Sequence, residues 1–393
     1  MNHGWTVSVG SQNSSVSSVL TSYTAPTITS VSLLSVGATT LNTTGNETMV
    51  INGTNFGPAT STASWNVMNA TYVGSVGKVY VALSCTVIVS HVSARCMSAA
   101  GVGGNNSVSV NVGDQWSVGS TDTLNYTAPA ITGVSGNVTL LTSGGQAVVL
   151  NGTNFGPVGG SVVGIDGVYG SSGNDLRYVS NGCVVVTNHT QMKCFSVEGV
   201  GTNLYWRVSV GGQWSGVSSG GANVSYAPPN ITSVSTAPSS MSNVSNMPTS
   251  GGARVRLNGT NFGPVGGTTV TVVYGVSGPT YRYTAVNCVI VTAHVMIECD
   301  SVEGVGRNLV WLVSVGGQRG PPSTGVTSYG VPTISGVMLG TSLDVSSIST
   351  LSTRGGELMT LSGSNFGPEG ANWTDIVVRY GPAGNWSQFT ATL

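Results

Sequence analysis

The sequence predicts an all-β chain of tandem sandwich domains, and three observations carry that reading. First, the heptapeptide NGTNFGP stands at 52–58, 151–157 and 258–264 and returns as SGSNFGP at 362–368, with starts 99, 107 and 104 residues apart. Second, runs such as AVVLNG (147–152) and RVRLNG (254–259) are strand-length apolar segments closed by Asn-Gly, a strong turn pair. Third, no segment has a helical period or a capped helix start. Solenoid repeats run about 20–50 residues, so a spacing near 100 reads as whole domains in series, each a β-sandwich of immunoglobulin type.

Two further markers bound the units. YTAP ends at Pro26 and again at Pro129, SYAPP starts at Ser225, and YGVP ends at Pro332. Between them lie VSVGSQ at 7–12, VNVGDQ at 110–115, and VSVGGQ at 208–213 and 313–318. Three complete units are therefore expected at 26–128, 129–228 and 229–331, with an incomplete fourth at 332–393 and an orphan closing strand, or strands, at 1–25. Val208-Ser209-Val210 alternates apolar and polar, as a half-buried strand should. Phe56, Phe155, Phe262 and Phe366 are isolated aromatics in Gly-Pro loops, which suits a plug into the sandwich core.

The six cysteines form three pairs of identical C-x10-C spacing: Cys85/Cys96, Cys183/Cys194 and Cys288/Cys299. Each pair encloses two short apolar runs about a central turn, and antiparallel pairing sets its members opposite each other at disulfide distance. Zinc would ask for closer pairs and two further ligands. His91, His189 and His294 recur six residues after each first cysteine and fall at the hairpin tip, as solvated turn residues. Three disulfides imply an oxidising, extracellular compartment, secreted or cell-surface. No charged and apolar leader precedes them, so no signal peptide is expected within the sequence.

G-x-N-F-G-P near the start of a unit, the Cys-to-Cys hairpin, G-x-G, V-x-V-G-x-Q and Y-x-x-P together resemble IPT/TIG domains. These are the immunoglobulin-like folds shared by plexins, transcription factors and many surface proteins. The resemblance covers nearly the whole chain and implies the fold. It leaves function open, because that fold serves adhesion, receptor stalks, enzyme accessories and DNA-binding factors alike.

Composition narrows the function. Charged residues are 6% of the 393, with 12 Lys+Arg against 13 Asp+Glu, where soluble proteins carry roughly 25%. Scattered cations of that number make no basic stripe for nucleic acid. The longest apolar runs fall far short of the roughly 18 residues of a membrane span. Enzyme chemistry is not expected: the repeated Glu198 and Glu303 lack a paired acid, a Ser-His-Asp site is not indicated, and calcium-loop spacing is missing. No cofactor or metal is expected. Glycans would supply the missing polarity. Sixteen N-x-[ST] sequons stand at Asn13, Asn42, Asn46, Asn52, Asn69, Asn105, Asn125, Asn137, Asn151, Asn188, Asn223, Asn230, Asn243, Asn258, Asn372 and Asn385. Chance would give about seven or eight among 30 asparagines. Asn52, Asn151 and Asn258 occupy the same expected turn, and the Ser/Thr-rich stretch 235–250 suits O-glycans.

The two ends complement each other. NHGWTVSVGSQ (2–12) aligns with NLYWRVSVGGQ (203–213) and NLVWLVSVGGQ (308–318), so Trp5 falls on Trp206 and Trp311. Tyr380 matches Tyr169 and Tyr274, each fourteen residues before a cysteine that the fourth unit lacks. Trp5, Val7 and Val9 are expected on one face of a lone donor strand. Leu358, Leu361, Phe366, Val377, Val378 and Tyr380 are expected in the acceptor. The function expected is a structural subunit of an extracellular glycoprotein filament, a homo-polymer in which residues 4–24 of one chain complete 332–393 of the next. Two alternatives stand beside it: a fragment of a receptor or adhesin ectodomain, and an accessory region of an extracellular carbohydrate-active enzyme.

Overall fold

The computed structural model describes residues 2–35, 40–59, 68–159, 164–238, 243–276, 278, 281–340, 350–369, 376–384 and 388–392. The chain divides into two compact units, Met1–Ala227 and Pro228–Leu393. Among the described residues the regular structure is strand, and no helix is long and apolar enough to cross a membrane.

The first unit holds an N-terminal hairpin and two sandwiches. In the first sandwich one sheet orders Thr27–Leu33, Thr48–Thr54, Ser93–Met97 and Leu83–Val89. The facing sheet is built on Met68–Val73 and Asn106–Val112. In the second sandwich Ala130–Gly136, Ala147–Thr153, Gln191–Phe195 and Asn181–Thr187 repeat the first order, opposite Asp166–Gly170 and Leu204–Val210. The second unit repeats the pattern once in full, with Asn230–Thr236, Arg254–Thr260, Met296–Asp300 and Val286–Thr292 facing Val270–Gly275 and Leu309–Val315. Beyond the third sandwich, among the described residues, Thr333–Leu339 pairs with Met359–Ser364 and Arg379–Tyr380 pairs with Phe389–Thr390.

Alternation places the cores. Met49 and Ile51, Val148 and Leu150, and Val255 and Leu257 are fully buried at alternate positions of the second strand of each sandwich. In the closing strand Ser209 is buried as well as Val208 and Val210, so the expected half-buried alternation does not hold there.

Asn-Gly does not end its strand, contrary to the expectation from the dipeptide. Asn52 lies within Thr48–Thr54, opposite Ser30 on one side and Ser93 on the other. Asn151 and Asn258 are likewise paired on both sides. The reason is the glycine that follows. A Cβ on Gly152 would overlap both the Ala130 carbonyl and the ring of Phe155, and Gly53, Gly259 and Gly363 are crowded in the same way by Phe56, Phe262 and Phe366. The bare Cα lets the strand run on while the phenylalanine folds back over it, and Phe56, Phe155 and Phe262 are fully buried there. The reversal comes later, at Asn154 and Gly156, with φ of 62° and 85°.

The disulfide hairpin is fastened to this loop. Phe155 N donates to His189 O at 3.1 Å and His189 N to Gly156 O at 2.7 Å. The same two bonds join Phe56 to His91 and Phe262 to His294. Cys85–Cys96, Cys183–Cys194 and Cys288–Cys299 are bonded across their hairpins, with Cα atoms 4.1 Å apart in each.

Replacing Gly152 by Ala should therefore destabilise the second sandwich by about 3 kcal/mol, the upper part of the range for overpacking. Gly216→Ala, where a Cβ meets nothing within 4 Å, should stay near wild type in the same urea-unfolding measurement.

Candidate functional site

Each complete sandwich is closed by one strand pairing. Val270–Gly275 lies antiparallel to Leu309–Val315 with Tyr274 opposite Trp311, Val272 opposite Val313 and Val270 opposite Val315. The indole of Trp311 stacks on Tyr274 at 4.2 Å between ring centroids, and Trp206 stacks on Tyr169 at 4.4 Å. Trp311 is oriented from behind: its N–H donates to Ser323 Oγ at 2.9 Å and its Nε1 to Thr327 Oγ1 at 3.0 Å. A tyrosine from the end of the unit completes the closure, with Tyr329 and Tyr274 hydroxyls 2.7 Å apart. Tyr126 with Tyr72, and Tyr226 with Tyr169, make the same contact at 2.7 and 2.8 Å. In the second sandwich Tyr226 also donates to Val197 O while Val197 N donates to Tyr169 Oη, which pins the loop after the disulfide hairpin.

Residues 1–25 carry the closing half of this arrangement. They are not the lone strand expected. Ser8–Val9 pairs with Gln12–Asn13, and His3 exchanges backbone bonds with Thr21, because the segment includes the turn and the returning strand as well. Trp5 N donates to Ser17 Oγ at 2.9 Å and Trp5 Nε1 to Thr21 Oγ1 at 3.0 Å, the bonds Trp311 makes. What differs is burial. Trp5 is 62% exposed, against 0% for Trp206 and Trp311. Val7 and Val9 are 63% and 73% exposed where Val313 and Val315 are 0% and 2%. Tyr23, at the position of Tyr329, is exposed too.

The fourth sandwich carries the other half. Tyr380 packs against Phe389 at 5.2 Å as Tyr274 packs against Tyr283 at 5.1 Å. Two of the expected acceptor residues point outward. Val377 aligns with Thr271, on the outer face, so the residues facing the gap are Ile376, Val378 and Tyr380. Leu358 aligns with Arg254 and is also outward; Met359, aligned with the buried Val255, is the core position. Leu361 is half-buried, and Phe366 is 38% exposed although its three equivalents are fully covered.

The remaining sequence candidates are scattered. Among the described residues no group of three His, Cys, Asp or Glu could hold a metal. His189 Nδ1 sits 3.0 Å from Thr43 Oγ1, and burial pushes its pKa down. Of the sequons, Asn52, Asn151 and Asn258 tie their amides into the sheet by donating to Ser30, Ser135 and Ser233. Asn13, Asn42, Asn46, Asn69, Asn105, Asn137, Asn188, Asn230 and Asn243 are exposed; Asn125 and Asn223 are half-buried. Asn372, Asn385 and residues 239–242 of the Ser/Thr-rich stretch lie outside the described residues. The tyrosine pairs are not apparent from the sequence. Their signal was there, in the Tyr of each Y-x-x-P and the Tyr before each cysteine, but the partners lie 54–57 residues apart.

A family model described as the IPT/TIG domain matches residues 26–128. No curated protein matches the chain. Among solved structures, the plexin A4 extracellular region is 14% identical, with 78% of this chain and 34% of that one covered at a TM-score of 0.24. The surface glycan-binding protein PbSGBP-B of Prevotella bryantii is 16% identical over 50% of this chain and 41% of its own, at a TM-score of 0.31. Invasin, a bacterial integrin-binding protein, is 10% identical over 79% and 62%, at 0.21. The chain thus spans about a third of the plexin A4 region it matches.

Burial, with the partner phenol adding to it, raises the pKa of Tyr126, Tyr226 and Tyr329 above the ordinary range near 10. Their folded-state values exceed the unfolded ones, so their contribution is whole below about pH 10 and is lost as pH rises further. Urea midpoints should fall between about pH 10 and 11 while the disulfides stay intact. Tyr226→Phe should flatten that fall for the second sandwich.

Proposed function

We propose that this chain of tandem immunoglobulin-like sandwiches, of which residues 26–128 match the IPT/TIG domain, is a structural subunit of an extracellular glycoprotein filament. Copies join head to tail, the 1–25 hairpin of one completing the fourth sandwich of the next. The observation that carries this is the pair of matching bare faces: a closing hairpin with its hydrogen-bond frame assembled and its apolar side wet, and a segment, 332–393, with no such hairpin among its described residues. The register follows from the complete sandwiches: Trp5 opposite Tyr380, Val7 opposite Val378 and Val9 opposite Ile376, with Tyr23 and Tyr380 hydroxyls in contact. This is β-strand addition, in which ladder bonds give affinity and alternate side chains give register. Covering the three apolar side chains is worth about 5–9 kcal/mol before ordering costs. Donor and acceptor are different surfaces, so the contact is heterologous and propagates as a fibre unless its rotation closes a ring.

The three disulfides support an oxidising, extracellular setting. N-glycans at the exposed sequons supply the polarity that 6% charged residues do not. Domain boundaries are proposed at 26–128, 129–228 and 229–331, with 332–393 the acceptor. A second reading has one supporting observation. In the complete sandwiches the second strand also pairs with the disulfide hairpin, and Met359–Ser364 has no such partner among the described residues. A longer surface polypeptide supplying that hairpin would complete the same fold.

Val7→Asp with Val9→Asp should leave the three complete sandwiches folded by near-UV circular dichroism and abolish fibres in negative-stain images. Unchanged fibres from that variant refute strand exchange. On assembly of the wild type, tryptophan emission should shift to the blue as Trp5 is covered; Trp5→Phe should remove the shift. Peptide-level glycan mapping should find Asn105 and Asn188 occupied, and bare sites there would leave the low charge unexplained.

A further inference from the structure

Two amides of the repeated motifs point away from the cores and grip the chain between sandwiches. Gln213, the last residue of VSVGGQ in the second sandwich, donates through Nε2 to Tyr126 O at 2.9 Å. Asn154, the second asparagine of NGTNFGP, donates through Nδ2 to Ala128 O at 3.1 Å. Both carbonyls belong to the YTAP linker that closes the first sandwich. The downstream sandwich thus holds the upstream linker at two points, two residues apart. The same clamp stands one step earlier: Gln115 Nε2 reaches Tyr23 O at 3.0 Å and Asn55 Nδ2 reaches Ala25 O at 3.0 Å. The hairpin is therefore already seated against the first sandwich as one sandwich is seated on the next.

Ahead of the fourth sandwich only half of the clamp is present. Asn365 Nδ2 donates to Val331 O at 3.0 Å. The other carbonyl due a partner is Tyr329 O, and among the described residues no side chain reaches it. The glutamine that would do so stands at the end of VSVGSQ in the 1–25 hairpin. It is Gln12, which is exposed and makes no side-chain bond among the described residues.

We propose that Gln12 of a second copy closes this clamp by donating to Tyr329 O of the acceptor chain. The inference rests on the head-to-tail reading above and adds to it. The incoming hairpin then does more than fill a core, since it fixes the completed sandwich on the one before it. The junction between subunits acquires the same two-point joint as the junction between the first and second sandwiches. It also gives selectivity: a foreign apolar strand could cover Tyr380, but without an amide at the place of Gln12 it would leave the Tyr329 carbonyl unpaired at the joint.

The test uses the full chain. Gln12→Ala removes one hydrogen bond at the subunit junction, so the concentration needed for polymerisation should rise about 2–10-fold. The soluble chain should keep its circular dichroism, since the Gln12 side chain makes no bond in the free hairpin and its backbone pairing with Val9 survives the substitution. Gln213→Ala removes the same bond inside one chain and should leave that concentration unchanged. A helical reconstruction of wild-type fibres should place the Gln12 amide within hydrogen-bond distance of the neighbouring copy's Tyr329 carbonyl. Wild-type assembly by Gln12→Ala, or a Gln12 amide directed elsewhere in the reconstruction, overturns the clamp. Those outcomes leave strand exchange intact if the Val7→Asp, Val9→Asp chain still fails to assemble. Normal assembly of that chain removes the underlying reading whatever Gln12 does.

Discussion

Each sandwich depends on the meeting of its tyrosine strand with its closing strand. In the second sandwich Asp166–Gly170 and Leu204–Val210 bring Tyr169 under Trp206, and from that stack the tyrosine hydroxyl pair, the pinned Val197 and the tight Gly199 follow. Glycine is required at Gly199 because a Cβ there would press on Tyr178 and on the Tyr226 hydroxyl. Where the pairing is made, aromatic rings, valines and the phenylalanine plug are all covered. Where it is not, as at 1–25 and 332–393, the same residue types stand in water. The difference lies in the partner, since the local conformation of Trp5 and Tyr380 already matches that of Trp311 and Tyr274.

That separation of conformation from burial is what makes assembly by complementation physically reasonable. The hairpin makes its own turn bonds and orients its indole through Ser17 and Thr21, so much of its ordering cost is met before any partner arrives. An apolar strand held ready in this way is also an aggregation hazard. A chain with few charges has little repulsion to oppose nonspecific sticking.

The repeated motifs divide their labour residue by residue. In NGTNFGP the first asparagine braces the sheet, the glycine admits the ring, the phenylalanine fills the core and the second asparagine holds the linker. In V-x-V-G-x-Q of the first two sandwiches the valines face inward while Gln115 and Gln213 reach the preceding linker. One short segment thus serves both the inside of a sandwich and its junction.

Some of this was legible in the residues alone. The sandwich architecture and the cysteine pairs follow from spacing and repetition, because identical motifs at a period near 100 must occupy identical places. Alternation likewise identified Trp5, Val7 and Val9 as one face. Three matters waited for the tertiary structure. Asn-Gly is a turn by local preference, yet here neighbours on both sides hold it in the ladder and the phenylalanine ring needs its glycine. Val377 and Leu358 are as apolar as their neighbours, but the pleat turns them outward and gives the inner positions to Ile376, Val378 and Met359. The tyrosine pairs and the amide clamps join residues far apart in sequence. Their partners are set by sheet register and by how one sandwich meets the next, and neither is written in local spacing.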